Sequence, residues 1–197
     1  MTQGAHATSP ESTDPALRAI LREVAKPRVQ TPPPALVAGR YRIQEPLGSG
    51  GMGTVYRAVD ERLGRQVALK WMHFHEHEGV SEQAFARFVR EARAAALVRH
   101  PNIVHVLDVS AEPSTPFITM ELLEGEALRD RVARGPLPWA EAVVIVGRVL
   151  DGLGALHAAG VVHRDIKPSN VFLVRGVDAD SAVKVLDLGV AHMTEAE

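Results

Sequence analysis

Four polar residues in the last third of the sequence have side-chain types that could support phosphoryl transfer. The stretch "VVHRDIKPSNVFL" contains Asp165, Lys167 and Asn170, and Asp187 follows in "VLDLG". Asp165 can accept a proton from a substrate hydroxyl, and Lys167 can neutralise a phosphoryl group in transfer. Asn170 and Asp187 offer oxygen ligands to one divalent metal ion. Phosphoryl transfer needs mainly positive charge, metal and alignment, and these residues provide all three.

A glycine-rich turn nearer the N-terminus could hold the phosphates. Gly48, Gly50 and Gly53 in "LGSGGMGTV" follow the pattern G-x-G-x-x-G, and Val55 closes it. Glycine lets backbone N–H groups approach phosphate oxygens. Dinucleotide-binding turns share this spacing, but they lead into a helix. Here "TVYRAVD" predicts a second strand, so two interpretations stay open: a phosphate-covering hairpin and a plain glycine-rich hairpin.

Lys70 ends the apolar run "VALK" and is predicted to point toward the glycine-rich turn. A lysine in such a strand requires a counter-charge, because burying an unpaired ammonium group is costly. Glu91 lies at the edge of the apolar stripe on the next helix and could supply that charge. We therefore expect an ion pair between Lys70 and Glu91. The alternative is two separate solvated charges, the commoner fate of such residues.

Alternating strands and helices must position these residues. Strands are predicted at "YRIQEPLG", "TVYRAVD", "QVALKW", "IVHVLDV" and "FITME". Helices are predicted at "SEQAFARFVREARAAALV", "EALRDRVARG" and residues 139–158, with two more strands around 171–174 and 183–187. This order predicts an α+β fold, in which a β-rich lobe with one long helix precedes a helical lobe.

Residues 1–40 differ from the rest of the chain. They hold six of the 13 prolines and no aromatic residue, which predicts a flexible leader. Within it, residues 15–25 follow a capping Asp14 and have helical spacing. We expect a short helix there that docks on the domain or frays, with a partner-binding or regulatory helix as the alternative.

Composition excludes several function classes. The net charge of −2 provides no basic field for nucleic acid. The absence of cysteine excludes disulfides, thiolate metal sites and thiol catalysis, and it fits a reducing compartment. No apolar run is long enough to span a membrane, and the N-terminus lacks signal-peptide features. We therefore expect a cytoplasmic protein without a membrane segment.

Three histidines alternate in "HFHEHE", at positions 73, 75 and 77. In an extended segment His73, His75 and His77 would share one face and could bind a metal ion. A closed site would need a fourth ligand, and the sequence shows none. We interpret the segment as a solvated loop.

The glycine-rich turn, Lys70, Glu91, "HRDIKPSN" and "DLG" occur in an order that resembles the motifs of eukaryotic-type (Hanks-type) protein kinases. The sequence is most similar to the bacterial serine/threonine branch of that family. The resemblance covers about Tyr41 to Glu197, with a complete β-rich N-lobe at about 41–120 and an incomplete helical C-lobe at about 124–197. It implies an enzyme that uses ATP and Mg2+ to phosphorylate Ser or Thr hydroxyls of protein substrates.

The resemblance assigns roles to the matching residues. Asp165 would be the catalytic base, with Lys167, Lys70 and Glu91 completing the catalytic set, and Asn170 and Asp187 would be the magnesium ligands. Met120 would be the gatekeeper, and the backbone of Glu121 and Leu123 would bind adenine. The implied ATP-binding residues are Leu47, Gly48, Ser49, Gly50, Gly51, Met52, Gly53, Thr54, Val55, Ala68, Lys70, Met120, Glu121, Leu123 and Phe172. Lys167 is the serine/threonine signature, and Arg164 indicates control by activation-loop phosphorylation.

Two features depart from the family pattern. Leu188 stands where the family usually has Phe, a change that keeps an apolar side chain. The sequence ends before an activation loop, so we expect this chain to bind Mg-ATP weakly and to phosphorylate proteins poorly or not at all. Residues 139–158 are apolar on nearly every side, so a patch that later helices would cover is expected to face water. The alternatives are a non-catalytic binding module, with a partner on this helix, and a fragment of a longer reading frame.

Overall fold

An antiparallel sheet dominates the first part of the fold. The computed structural model describes residues 32–50, 53–73, 82–110, 112, 116–176 and 182–187. The strands of this sheet are β1 (Leu36–Val37), β2 (Tyr41–Gly50), β3 (Gly53–Asp60), β4 (Arg65–Met72), β5 (Val106–Val109) and β6 (Phe117–Glu121). Their order is β1-β2-β3-β4-β6-β5. The predictions for the helix at 15–25, Gly51, Met52, His75, His77 and Leu188 lie outside the described residues.

Most strand predictions are confirmed, and two are wrong at one end. The strand predicted from Ile103 begins at Val106, because Ile103 instead forms a parallel bridge with Val185. The strand predicted to reach Asp187 ends at Val185. Asp187 has a φ of +49°, which is left-handed and incompatible with an extended strand.

The sheet packs its own core on one face. Strands β1, β2, β3, β4 and β6 contribute to a buried cluster that consists of Val37, Tyr41, Ala58, Val67, Leu69, Trp71 and Phe117. Tyr41 and Phe117 meet edge to face, with ring centroids 5.5 Å apart. Every residue of β4 from Val67 to Met72 is buried, and Lys70 lies on the face opposite to this cluster, between Ala68 and Met72.

The sheet begins inside the range that the sequence predicts as a leader. Val37 in β1 is fully buried and pairs with Tyr41. Arg40 Nε donates to Asp60 Oδ1 at 2.9 Å, and the Arg40 guanidinium lies 4.8 Å from the centre of the Tyr41 ring. The larger sheet therefore includes two residues from the range that the sequence predicts as a leader. The nearby prolines obscured this short strand, and its two residues are too few to show an alternating pattern.

Helices and a smaller sheet form the second part of the fold. The helices are α1 (Glu82–Ala96), α2 (Leu128–Ala133) and α3 (Trp139–Ala158), and a turn of 3-10 helix spans Pro168–Asn170. The smaller sheet contains β7 (Gly125–Ala127), β8 (Val171–Val174) and β9 (Val183–Val185), in that order. Helix α3 follows Pro138, and the chain turns away at Gly160, whose φ is +74°. The predicted helix at 139–158 is confirmed.

A second core joins α1, the segment before β5, α3 and β9. Its buried residues are Met72, Val89, Ala92, Ala95, Val98, Ile103, Val106, Ile118, Leu156 and Val185. Because Val185 and Leu156 pack here beside Ile118 of the larger sheet, the two parts of the fold share apolar contacts. The segment that leads to Asp187 is thereby held close to the larger sheet.

Helix α3 exposes much of its apolar surface in this chain. Within it, the buried residues are Ile145, Gly152 and Leu156, whereas Trp139 is 83% exposed and Leu150 61% exposed. The expectation of an apolar patch facing water is confirmed for this chain. In the part of the chain that the structure describes, no helix combines the length and apolar character needed to cross a membrane.

Candidate active site

The loop after α3 brings Asp165, Lys167 and Asn170 together. The 3-10 turn folds Asn170 back so that its Nδ2 donates to the main-chain oxygen of Asp165 at 2.9 Å and to Asp165 Oδ2 at 3.0 Å. Lys167 Nζ lies 2.7 Å from the same Oδ2. These contacts fix the orientation of the Asp165 carboxylate, as a general base requires. The predicted grouping of the three residues agrees with this geometry.

His163 connects this loop to the segment that carries Asp187. It is 1% exposed, and its Nε2 lies 2.7 Å from the main-chain oxygen of Leu186. Its Nδ1 accepts a hydrogen bond from the Asp165 N–H at 3.3 Å. Since Nδ1 accepts, Nε2 carries the proton and donates to Leu186. His163 therefore positions the residues on both sides of the site, a role that the sequence motif did not reveal.

Lys70 pairs with Asp187 and not with Glu91. Lys70 Nζ lies 2.6 Å from Asp187 Oδ1, and the side chains are 11% and 36% exposed. Among the described residues, no ion pair or hydrogen bond joins Lys70 to Glu91, which is half-buried on α1. The predicted Lys70–Glu91 ion pair is thus absent from this structure. The physical reason is that the face of β4 bearing Lys70 meets the end of β9, where a carboxylate already stands.

Asp187 and Asn170 lie on adjoining backbone segments. The Leu186 N–H donates to the main-chain oxygen of Asn170 at 2.8 Å, so the residue after Leu186 stands beside Asn170. A carboxylate and an amide oxygen suit Mg2+, which takes few protein ligands and fills its other positions with water and phosphate. No group of three or more His, Cys, Asp or Glu side chains in the described ranges could hold a metal ion. The oxygens of Asn170 and Asp187 could hold Mg2+ together with a phosphate ligand.

The glycines of the turn between β2 and β3 fall into two kinds. A Cβ on Gly53 would lie 2.4 Å from the main-chain oxygen of Trp71, so packing of β3 on β4 requires glycine there. Beyond the chain neighbours, a Cβ on Gly48 or Gly50 would meet no atom of the described residues within 4 Å. Protein packing thus does not explain glycine at these two positions, whereas close approach of a phosphate to the backbone would.

The hairpin places the other predicted phosphate-covering residues around these glycines. Ser49 pairs with Thr54, and Gly48 pairs with Val55. Ser49 Oγ lies 3.1 Å from Thr54 Oγ1, and Thr54 is buried. Leu47 precedes the turn and is 45% exposed. The interpretation of this segment as a strand-to-strand turn is confirmed.

One face of the larger sheet carries most of the remaining predicted residues. Val55 pairs with Lys70, and Ala68 pairs with Met120, so these four side chains share a face of β3, β4 and β6. Glu121 ends β6, and Leu123 follows it in the connection to β7. Phe172 lies on β8 opposite Lys184 and is half-buried. Of the predicted ATP-binding residues, Val55, Ala68, Lys70 and Met120 thus lie on one face of the larger sheet, and Phe172 lies on the smaller sheet.

Asn102 is a positioning residue that the sequence analysis missed. It is 1% exposed, and its Nδ2 donates to the main-chain oxygen of Val183 at 2.8 Å. Its own main-chain oxygen accepts the Val185 N–H at 2.8 Å. Asn102 therefore holds β9, and through it Asp187. The surrounding "HPNIV" contains only a turn signal, so the sequence could not identify the partner strand.

Comparison with known proteins agrees with this geometry. A family model described as protein kinase domain matches residues 41–197. The chain is 39% identical over 168 residues to serine/threonine-protein kinase pkn2 of Myxococcus xanthus. This match covers 84% of this chain and 20% of that protein. It is 42% identical over 163 residues to serine/threonine-protein kinase PknL of Mycobacterium tuberculosis (strain ATCC 25618 / H37Rv), which covers 82% of this chain and 39% of that protein.

A solved structure has the same fold. The PknI kinase domain of M. tuberculosis matches with a TM-score of 0.70 and 27% identity, over 82% of this chain and 62% of that chain. The chain thus spans a fifth to two-fifths of the length of the two curated relatives. The family match, the shared fold and the grouping of Lys70, Asp165, Asn170 and Asp187 lead to one assignment: the chain belongs to the protein kinase domain family.

Proposed function

We propose that this chain forms the nucleotide-binding part of a serine/threonine protein kinase, which transfers the γ-phosphate of ATP to a protein hydroxyl with Mg2+. One observation carries the proposal. Lys70 and Asp187 are 117 residues apart in sequence, yet Lys70 Nζ and Asp187 Oδ1 lie 2.6 Å apart. Asn170, which hydrogen-bonds Asp165, stands beside them.

Each residue has a role in this proposal. Lys70 would bind phosphate oxygens, and Asp187 would keep its ammonium group in place. Asn170 and Asp187 would hold Mg2+, which supplies charge neutralisation on the phosphates. Asp165 would orient the acceptor hydroxyl and take its proton, while Lys167 would offset negative charge on the phosphoryl group. The backbone N–H groups of the turn at Gly48 and Gly50 would approach the phosphate oxygens.

The substrate class and location belong to the same proposal. Lys167 after "HRDI" resembles the serine/threonine signature, which supports a Ser or Thr acceptor. The absence of cysteine supports a reducing compartment, so we place the protein in the cytoplasm.

Thermal unfolding with and without Mg-ATP tests the proposal. A ligand at about one hundred times its Kd should stabilise the folded chain by about 2.7 kcal/mol. We expect that stabilisation for the wild type, none for Lys70→Met, and the full effect for the control Arg42→Met. Arg42 lies on the same sheet, but its ion pair with Glu61 is exposed and remote from the nucleotide residues.

The outcomes separate the candidate functions. A cooperative transition in the wild type without an Mg-ATP shift would overturn the proposal and favour a non-catalytic binding module. If Mg-ATP stabilises Lys70→Met as much as the wild type, Lys70 does not belong to the nucleotide site. An added protein substrate then tests the transfer step, which we expect Asp165→Asn to abolish.

A further inference from the structure

Lys184 forms a second charged contact between the two sheets. It lies on β9 with its side chain 12% exposed, and its Nζ is 2.9 Å from Glu121 Oε1. The Glu121 side chain is 30% exposed and also accepts the His105 N–H at 2.7 Å on the same oxygen. The Glu121 N–H in turn donates to the main-chain oxygen of His105 at 2.9 Å. Glu121 is therefore held at both its backbone and its carboxylate.

The contact joins the two halves of the proposed nucleotide site. Glu121 ends β6 of the larger sheet, where the family resemblance implies that the backbone would bind adenine. Lys184 lies in the smaller sheet, shortly before Asp187. The Lys184–Glu121 pair spans 63 residues of sequence, and the Lys70–Asp187 pair spans 117. The segment from Lys184 to Asp187 thus contacts the larger sheet through a charged pair at each end.

The segment between these pairs is braced by main-chain hydrogen bonds. The Val104 N–H donates to the oxygen of Val185 at 3.0 Å, and the Val185 N–H donates to the oxygen of Asn102 at 2.8 Å. Val185 is fully buried in the shared core. Because the backbone between Lys184 and Asp187 cannot bend freely, a shift at Lys184 would be passed to the Asp187 carboxylate.

We infer that Lys184 is a positioning residue, which acts through Glu121 to set the separation between the adenine-binding backbone and the metal-binding carboxylate. The inference rests on the proposed function. A ligand that contacts both halves should benefit from this separation, because the protein then need not reorganise on binding. The affinity of a ligand that contacts only the adenine-binding backbone should depend little on this separation.

Calorimetric titration with two ligands tests this distinction. Mg-ATP contacts both halves of the proposed site, whereas adenosine lacks the phosphates and metal. We expect Lys184→Met to weaken Mg-ATP binding about ten-fold, the equivalent of about 1.4 kcal/mol, while adenosine affinity changes less than about two-fold. Lys184→Arg keeps the charge and should restore Mg-ATP binding to within about three-fold of the wild type. Arg42→Met serves as the control for loss of a cation from an exposed pair.

The results decide between positioning and mere stabilisation. Equal loss of both ligands in Lys184→Met would show a structural role and overturn the inference, as would unchanged Mg-ATP affinity. If Lys184→Met does not fold, the exchanged pair Glu121→Lys with Lys184→Glu replaces it. Recovery of Mg-ATP binding relative to Glu121→Lys alone supports the inference, and absence of recovery overturns it. A folded wild type that binds neither ligand would overturn the proposed function, and the inference with it.

Discussion

Replacing Arg40 by methionine tests how strongly the N-terminal edge of the sheet depends on a buried carboxylate. Arg40 Nε and Nη2 donate to the two oxygens of Asp60 at 2.9 Å and 2.7 Å. The Asp60 side chain is 1% exposed, and that of Arg40 is 23% exposed. Methionine keeps an apolar stem of similar length against Tyr41 but removes the charge. Asp60 would then remain buried without its main partner.

The expected cost follows from this burial. Removing one partner of a buried ion pair costs about 3–5 kcal/mol, because the other charge stays uncompensated. Water reaches part of Arg40, and Asp60 keeps the Arg62 N–H at 3.2 Å, so we expect a smaller loss. The free energy of unfolding at pH 7 should fall by about 2–4 kcal/mol. Arg42→Met, which breaks an exposed pair with Glu61, should cost about 0–1 kcal/mol.

The loss should also depend on pH. The Arg40 hydrogen bonds hold the pKa of Asp60 below its ordinary value, despite burial, which raises it. A carboxylate with a depressed pKa in the folded state contributes stability above its unfolded pKa of about 3.9. That contribution is lost as the pH falls through the folded pKa. The difference between wild type and Arg40→Met should therefore be complete at pH 7 and shrink below about pH 4.

Urea unfolding followed by circular dichroism measures both quantities. The three proteins are compared at pH 7, and the wild type and Arg40→Met are compared again at pH 3. A loss for Arg40→Met no greater than that for Arg42→Met would refute the reasoning. So would a difference at pH 3 as large as that at pH 7.

Three further variants test the backbone contacts around the site. Gly53→Ala should destabilise the fold by about 1–3 kcal/mol, since its Cβ would lie 2.4 Å from the Trp71 oxygen. Gly50→Ala should leave the melting temperature unchanged and weaken Mg-ATP binding. Equal melting temperatures for these two would contradict this account. Asn102→Ala removes a buried donor to β9 and should lower the free energy of unfolding, measured with urea, by about 1–3 kcal/mol. A loss below about 0.5 kcal/mol, the size of a neutral surface change, would contradict this prediction. Gly152→Ala would place a Cβ 2.9 Å from the Asn102 oxygen and should lower the melting temperature, and unchanged melting would show that α3 can shift.

Much of the local structure could be predicted from sequence patterns. The strand-to-strand glycine turn, the helix at 139–158 and the loop around Asp165 follow from β-branched runs, helical spacing and turn residues. These signals act over a few residues, so they survive without knowledge of the packing. The exposed apolar side of α3 was also predictable, because the helix has no continuous polar face.

Errors arose where a short element or a distant partner decided the outcome. The strand at Leu36–Val37 was missed because its two residues show no period, yet pairing with β2 buries Val37 completely. Ile103 was assigned to a strand by its apolar character, but it bridges to Val185 instead, and the strand begins only at Val106. For Ile103 the partner lies in a distant part of the chain, and local propensity does not encode it.

The sequence by itself determined which residue types could do the chemistry and which element carries each of them. Only the tertiary structure decided which of them meet. Two carboxylates, Glu91 and Asp187, were possible partners for Lys70. The segment after β9 brings Asp187 Oδ1 to 2.6 Å from Lys70 Nζ. No sequence pattern indicated that Lys184 would pair with Glu121, which only the packing of the two sheets brings about. Spacing along a chain specifies faces and turns, whereas contacts across many residues depend on how the shared core packs the elements together.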